Sequence, residues 1–423
     1  MALTLFVASG LALVAGVGAA AKSSVVGTGE SIQKAVNAAD PGDTIVVRGV
    51  HREDVVIRKN GIKLRGEDAV IEAPPRAKAD SPCSKTFGTE AICVLGDENI
   101  KTGKLEGQRV SDVSVSGFTI RGFKIANAFV IDLNGARNAT IVGNRLIGNV
   151  AKGIVASASV NTTIAKNHVI GSPETAEGIV VEVSSRTTVV KNVVKSTPEG
   201  YNAIEASDSI DTTIASNDLI GNWVGVFVID STGTKILFND VSRSGIVGTF
   251  MAGPKPANAK VVGNDISGGA WGMYVTDTER GSIAGNNIHD NCAGMFFESN
   301  PSQPVGGFEV KGNTVENNKR SCRAAQFDRN FSGIGIALLG TTDMEVSANR
   351  LSGNVPSGPT AVSGGVVVST NPFFGETIKP TNNTVTGNHF GRNKPDIFFD
   401  GSGSDNRFRA NNCNVSVPSS LCN

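Results

Sequence analysis

Large aromatic and imidazole side chains are scarce in this chain: 2 Trp, 2 Tyr and 4 His among 423 residues. Each of those few positions is therefore informative. Neither charge predominates, with 39 basic against 39 acidic residues. No basic stripe is available to follow phosphates, so nucleic acid is not an expected partner. No Cys-x-x-Cys pair occurs, which argues against zinc and thiol redox chemistry. Beyond residue 21 no apolar run is long enough to span a bilayer. Apolar residues spaced i, i+3, i+4, i+7 never persist over a dozen positions, so a helical repeat is excluded.

What the chain has instead is a recurring asparagine. It closes Thr140-Ile-Val-Gly-Asn144, Thr163-Ile-Ala-Lys-Asn167, Thr188-Val-Val-Lys-Asn192, Thr213-Ile-Ala-Ser-Asn217 and Lys235-Ile-Leu-Phe-Asn239. It returns at Asn264, Asn286, Asn313, Asn349 and Asn388. A period of this size is the mark of a solenoid, whose repeats bury their apolar faces only by stacking. Each repeat holds two or three runs in which Ile, Val or Phe alternates with small or polar residues, the period of a half-buried strand. The 50 glycines suit a coil that turns sharply several times per repeat. The expected fold is all-β: a single right-handed parallel β-helix. Its coils would stack at roughly 4.8 Å, giving a rod on the order of 50 Å long. The asparagines are expected to sit in left-handed turns and to form an inward ladder of paired amides.

At its start the chain reads Ser31-Ile-Gln-Lys-Ala-Val-Asn-Ala-Ala-Asp-Pro-Gly-Asp-Thr-Ile45. Ser31 can N-cap a helix, Ile32, Ala35, Val36 and Ala39 share one face of it, and Pro41 stops it. With this segment the chain resembles the right-handed parallel β-helix proteins of the pectate-lyase-like superfamily, which includes the NosD-like periplasmic proteins and alginate epimerases. The resemblance covers roughly residues 24–412. It implies that the N-terminal helix plugs the open end of the coil. Function does not follow from the scaffold, because many chemistries share it.

Leu3 to Ala21 read as a secretory signal peptide cleaved after Ala21, without the usual basic n-region. The expected layout is a signal peptide over 1–21, the β-helix over 22–412 and a disulfide-closed tail over 413–423. Six cysteines agree with secretion, and nearest-neighbour pairing gives Cys83–Cys93, Cys292–Cys322 and Cys413–Cys422. Sequons stand at Asn138, Asn161, Asn330, Asn382 and Asn414, as common turn residues or as glycan acceptors.

Chemistry is expected on the outward face of one strand stack. Counted from Ala128, Gly153, Gly178, Ala203, Gly225, Gly272, Gly294 and Asp396, the second residue onward is Val130, Val155, Val180, Glu205, Phe227, Tyr274, Phe296 and Phe398. The fourth is Asp132, Ser157, Glu182, Ser207, Ile229, Thr276, Glu298 and Asp400. Strand alternation points both rows outward. Phe227, Tyr274 and Phe296, with Trp223 and Trp271 beside their strands, form the expected substrate-binding floor. The alternative is that loops cover this face and the rings form a second small core.

Glu182, Glu205, Glu298, His289 and Arg280 are the candidate catalytic residues. Glu182, Glu205 and Asp208 are the candidate metal ligands, with Ca2+ as the cofactor. The motifs of the resembled enzymes are missing: no Arg-x-Pro-x-x-Arg, no Gly-His-Gly and no Asp-Pro-His occurs. Two functions fit. One is a secreted enzyme acting on an acidic extracellular polysaccharide by lyase, epimerase or hydrolase chemistry. The other is a non-catalytic protein that binds polysaccharide or cell wall. Either would act as a monomer, with no membrane contact after signal cleavage.

Overall fold

The computed structural model describes residues 20–75, 90–99, 104–105, 107–124, 128–171, 177–196, 201–253, 257–324, 329–371 and 378–422. Residues 1–19 of the expected signal segment, and Cys83 of the expected Cys83–Cys93 pair, lie outside them. Among the described residues no helix is long and apolar enough to cross a membrane.

One coil shows the plan of all. A six-residue strand, Lys152–Ser157, turns into the short strand Thr163–Ala165. A sharp corner at Asn167 leads to a second short strand, His168–Gly171, and the chain then enters the next long strand, Glu177–Glu182. Equivalent strands of successive coils pair in parallel. The long strands stack into a sheet of fourteen, from Val55–Ile57 to Ser416–Val417. The two short stacks are joined in one sheet because Thr44–His51, Lys63–Glu72 and Ser114–Arg121 run unbroken through their corner. The result is the expected β-helix, three-sided, with a continuous aliphatic interior.

Helix Ile32–Ala38 closes the first end, with Ile32 and Val36 buried. The Ser31 hydroxyl accepts from the Lys34 N–H at 3.2 Å, as expected of an N-cap. Glu53 adds a second cap, accepting from the N–H groups of Ile32 (2.7 Å) and Gln33 (3.3 Å). At the far end Cys413 and Cys422 are bonded, and Ser416–Val417 continues the long sheet. Cys292 and Cys322 are bonded as well.

The asparagine ladder is continuous. Asn192, Asn217, Asn239 and Asn264 are all buried. The Asn217 carboxamide oxygen accepts from the backbone N–H (2.9 Å) and the Nδ2 (3.0 Å) of Asn192. Its own Nδ2 donates to Val189 O (3.0 Å) and to Asn239 Oδ1 (2.9 Å). The same pattern runs from Asn144 to Asn411. One detail differs from expectation. The left-handed residue is the one before each asparagine: Lys166 (φ 55°), Lys191 (56°), Ser216 (53°) and Phe238 (53°). That residue makes the corner and turns the following amide inward. Two ladders were not foreseen. Asn291, Asn318, Asn354 and Asn393 repeat the motif at the corner leading to the long sheet. At the third corner the N–H groups of Ser159, Ser184 and Ser209 donate to the next coil's serine hydroxyl.

Candidate ligand-binding face

A column of small residues decides which side chains leave the long sheet. At Gly225 an added Cβ would lie 2.5 Å from Gly248 O and 2.3 Å from Val241 Cγ1. The backbone approaches too closely there for any side chain. In Val224–Ile229, Val226 and Val228 therefore join the interior, while Val224 and Phe227 belong to a cluster on the outer side. The expected outward rows hold from Lys152 onward and need correction in the coil before it. Asp132 pairs with Val155, and Ile131 with Ile154. Val130 is thus the counterpart of Gly153, and Asp132 belongs in the row of Val155 and Glu205. The register slipped by two because this coil has valine at the glycine position, and Ala128 was mistaken for it.

The outward aromatic row contains Phe227, Phe250, Tyr274 and Phe296, in register on successive coils. Phe250 was not singled out from the sequence, although it stands 23 residues after Phe227. Phe227 and Phe250 stack at 5.0 Å with planes 7° apart. Phe250–Tyr274 and Tyr274–Phe296 meet edge to face at 5.5 and 5.7 Å. Tyr274, Phe296 and Trp271 are buried. The hairpin Cys322–Ala324/Arg329–Phe331 covers them, with Phe331 against Trp271 (5.4 Å) and Phe296 (5.5 Å). The Cys292–Cys322 bond ties this hairpin down. These three rings are a second core rather than an open floor. Phe227 and Phe250 remain half-buried, stacked on each other.

The open aromatic surface lies one step aside. Trp223 is 42% exposed and Tyr201 54% exposed. Asn202 pairs with Val224, so these two rings occupy equivalent places on adjacent coils. The Trp223 backbone N–H also donates to the Tyr201 backbone carbonyl at 3.1 Å. Tyr201 was missed in the sequence because it precedes its strand. Its match with Trp223 becomes visible only once the glycine column fixes the register. Beside the pair, Asn202 Nδ2 donates to Glu205 Oε2 at 3.0 Å, and Lys152 Nζ lies 2.9 Å from Glu177. Burial raises the Glu177 pKa, the bond to Lys152 works against this, and Glu205 and Glu182 add to the rise. Tyr201, Asn202, Glu177 and Lys195 together line a small recess at this corner.

The candidate catalytic residues do not converge. Glu298 is buried, accepting from the Tyr274 hydroxyl and from Asn371 Nδ2 (3.3 Å). His289 lies on the second short face, in register with Ser267, between Asp265 (3.0 Å) and Asp290 (2.7 Å). Burial there opposes its charge, but the two carboxylates more than offset this and raise its pKa. The sequence set His289 one coil step from Tyr274, and the corner at Asn291 separates them. Arg280 is exposed near the start of the first-short-face strand Glu279–Ala284, in a left-handed conformation (φ 64°) and 3.5 Å from Glu279. Nor do Glu182, Glu205 and Asp208 form a calcium site. Among the described residues no group of three or more His, Cys, Asp or Glu is placed to hold a metal. Asp208 sits in the left-handed turn after its strand (φ 47°).

A separate acidic group lies near the N-terminal end, where Asp54, Glu90 and Asp132 are buried. Burial, then Asp132 and Asp54, push the Glu90 pKa from 4.5 up to about 10. Between these values the native state holds a proton that the unfolded chain has lost. Stability therefore falls as pH rises through this window. Glu90→Gln should remove the effect: matched to the parent near pH 4, it should be more stable at pH 8 by on the order of 5 kcal/mol, about 1.4 kcal/mol for each pH unit above 4.5. Urea unfolding at the two pH values checks this, and an equal difference at both would contradict it.

Two family models match the chain. "Right handed beta helix region" matches residues 202–374. "Periplasmic copper-binding protein (NosD)" matches residues 37–253, which is 217 of 423 residues and more than half. No curated protein matches by sequence. Among solved structures, the Dettilon tailspike protein gp208 is similar at 14% identity and TM-score 0.48, over 90% of this chain. The chain spans 65% of that protein, just under two thirds of its length. The A-module of the Azotobacter vinelandii mannuronan C-5 epimerase AlgE4 is similar at 14% identity and TM-score 0.44, over 90% of this chain and 88% of that one. PfbA, a surface adhesin of Streptococcus pneumoniae, is similar at 13% identity and TM-score 0.43, over 89% and 87%. The sequence match over more than half its length, together with the coil it folds into, makes this chain a member of the NosD family of right-handed parallel β-helix proteins.

Proposed function

We propose that this chain binds an extended polysaccharide outside the cytoplasm, and that the exposed edge of the long sheet around Tyr201 and Trp223 holds it. The observation that carries this is the pairing of those two rings. Two large rings left wet on adjacent coils are costly without a partner. Each offers an apolar face to a pyranose, with polar groups of Asn202 and Glu205 alongside to meet hydroxyls. The spacing of adjacent coils, roughly 4.8 Å, suits successive contacts along one glycan chain. The two disulfides support a location away from the reducing cytosol.

Binding is favoured over catalysis because, of the five candidate catalytic residues, only Glu182 and Glu205 share this face. Acid, base and substrate must come within hydrogen-bond reach for cleavage or epimerisation. Glu298 is covered, and His289 and Arg280 lie on or toward other faces.

A copper role, which the family's description carries, does not suit the soft donors of this chain. Met251, Met273, Met295 and Met344 are buried in the apolar interior. Cys292, Cys322, Cys413 and Cys422 are in disulfides. Both ring nitrogens of His51 meet backbone carbonyls, at 3.1 and 3.0 Å. His168 and His389 begin strands of the second short face many coils apart. Copper sites gather imidazole or sulfur ligands around one point, and among the described residues no group of three or more His, Cys, Asp or Glu is placed to hold a metal.

The test is a polysaccharide panel read by affinity electrophoresis and calorimetry. Trp223→Ala and Tyr201→Ala should each weaken binding by about 1 kcal/mol, roughly fivefold, with the melting temperature unchanged. If no glycan binds, or both variants bind as the parent does, the proposal fails.

A further inference from the structure

We propose that the glycan this edge selects carries free ammonium groups, as a chain of partly or wholly de-N-acetylated amino sugars does. This rests on the binding role above and reverses the sign of substrate expected from the sequence.

The local charge is the first reason. The chain as a whole is neutral, 39 basic against 39 acidic. The long face is not. Over the three coils from Glu177 to Asp230, its outward rows and the turn that follows each strand carry Glu177, Glu182, Glu205, Asp208, Asp211 and Asp230 against one cation, Arg186. Lys152 faces them from the preceding coil and is already held by Glu177 at 2.9 Å. Lys195 stands across the corner recess. A polyuronate laid here would place its carboxylates against these, and like charges brought together at an interface are strongly disfavoured. A divalent cation could bridge them, but no group of the described acidic residues is placed to hold one.

The second reason is the mix of groups. Glu177 and Glu205 lie on the outer side of paired strands of adjacent coils, and Glu205 and Glu182 both act against the charge on Glu177, so a bound cation would offset that repulsion. The exposed rings of Trp223 and Tyr201 can attract ammonium groups through their quadrupoles. An amino sugar offers both halves of the match, an apolar ring face and a positive charge a few bonds away. A neutral sugar uses only the rings.

Three short oligomers of equal length decide the matter: glucosamine, N-acetylglucosamine and galacturonate, each titrated below the pKa of the amine. The glucosamine oligomer should bind about tenfold tighter than its acetylated counterpart at low salt, and the preference should largely vanish near 0.5 M NaCl. Glu182→Gln should sharply reduce the preference while the acetylated oligomer still binds. Trp223→Ala should weaken both. Equal binding of the two hexosamine oligomers, or tightest binding of galacturonate, would overturn the charge inference and leave the glycan role standing. Failure of all three, with no response to Trp223→Ala, would instead remove the glycan role beneath it.

Discussion

Replacing Asn217 with leucine should destabilise the protein by roughly 4 kcal/mol, because at least three buried polar groups lose their partners at about 1–3 kcal/mol each. The Asn192 N–H and Nδ2 lose their shared acceptor, and Val189 O loses its donor. Leucine is of similar size, so the cost comes from orphaned hydrogen bonds rather than from a cavity. Urea unfolding followed by circular dichroism reads the loss. The transition should also broaden or split, since the change falls mid-rod and weakens the coupling between the coils on either side. A variant within about 1 kcal/mol of the parent would mean that the ladder contributes no more than ordinary exposed hydrogen bonds.

Tyr274→Ala should act on stability and leave ligand binding alone. The ring lies against Trp271 at 5.4 Å and touches Phe250 and Phe296. Removing such a buried aromatic costs about 3–5 kcal/mol. Glu298 would also lose the hydroxyl it accepts from. Tyr274→Phe isolates that second part and should cost about 1–3 kcal/mol. Glycan affinity should stay within about twofold in both, a change below 0.5 kcal/mol. An unchanged melting temperature with binding lost would return Tyr274 to the ligand and make the hairpin over it a movable cover.

The coil itself was legible because its determinants are local and periodic. Asparagine spacing, alternation and the Ser31–Pro41 segment each point to one answer, and the structure keeps all three. Glu53, which caps the same helix from 21 residues away, was not legible. The outward rows were readable from the glycine column, and failed where Val130 replaced the glycine. The site was harder, because exposure on a solenoid face depends on what lies across it. Nothing in the strand pattern of Phe227 and Phe296 distinguishes a ring left half-open from one covered by a hairpin about 35 residues downstream. Tyr201 falls outside its strand, so only the neighbouring coil reveals its partner. His289 looked near Tyr274 in sequence because distance along a coil ignores corners.

The ladder also sets how this molecule would yield to force. A pull on its two ends loads the bonds between coils in tension, and the end coil is the one with a single neighbour. The chain would unspool one turn at a time. Each release frees the segment between consecutive ladder asparagines, 25 residues from Asn192 to Asn217 and 22 from Asn217 to Asn239. At about 3.4 Å per extended residue, that is roughly 75–85 Å of slack per event. One longer step, of 39 residues, comes from Asn349 to Asn388, while the Cys292–Cys322 bond keeps a 30-residue loop out of the extension. Whatever the rod holds at its surface, the asparagine spacing makes it a ratcheted tether that gives way in graded lengths.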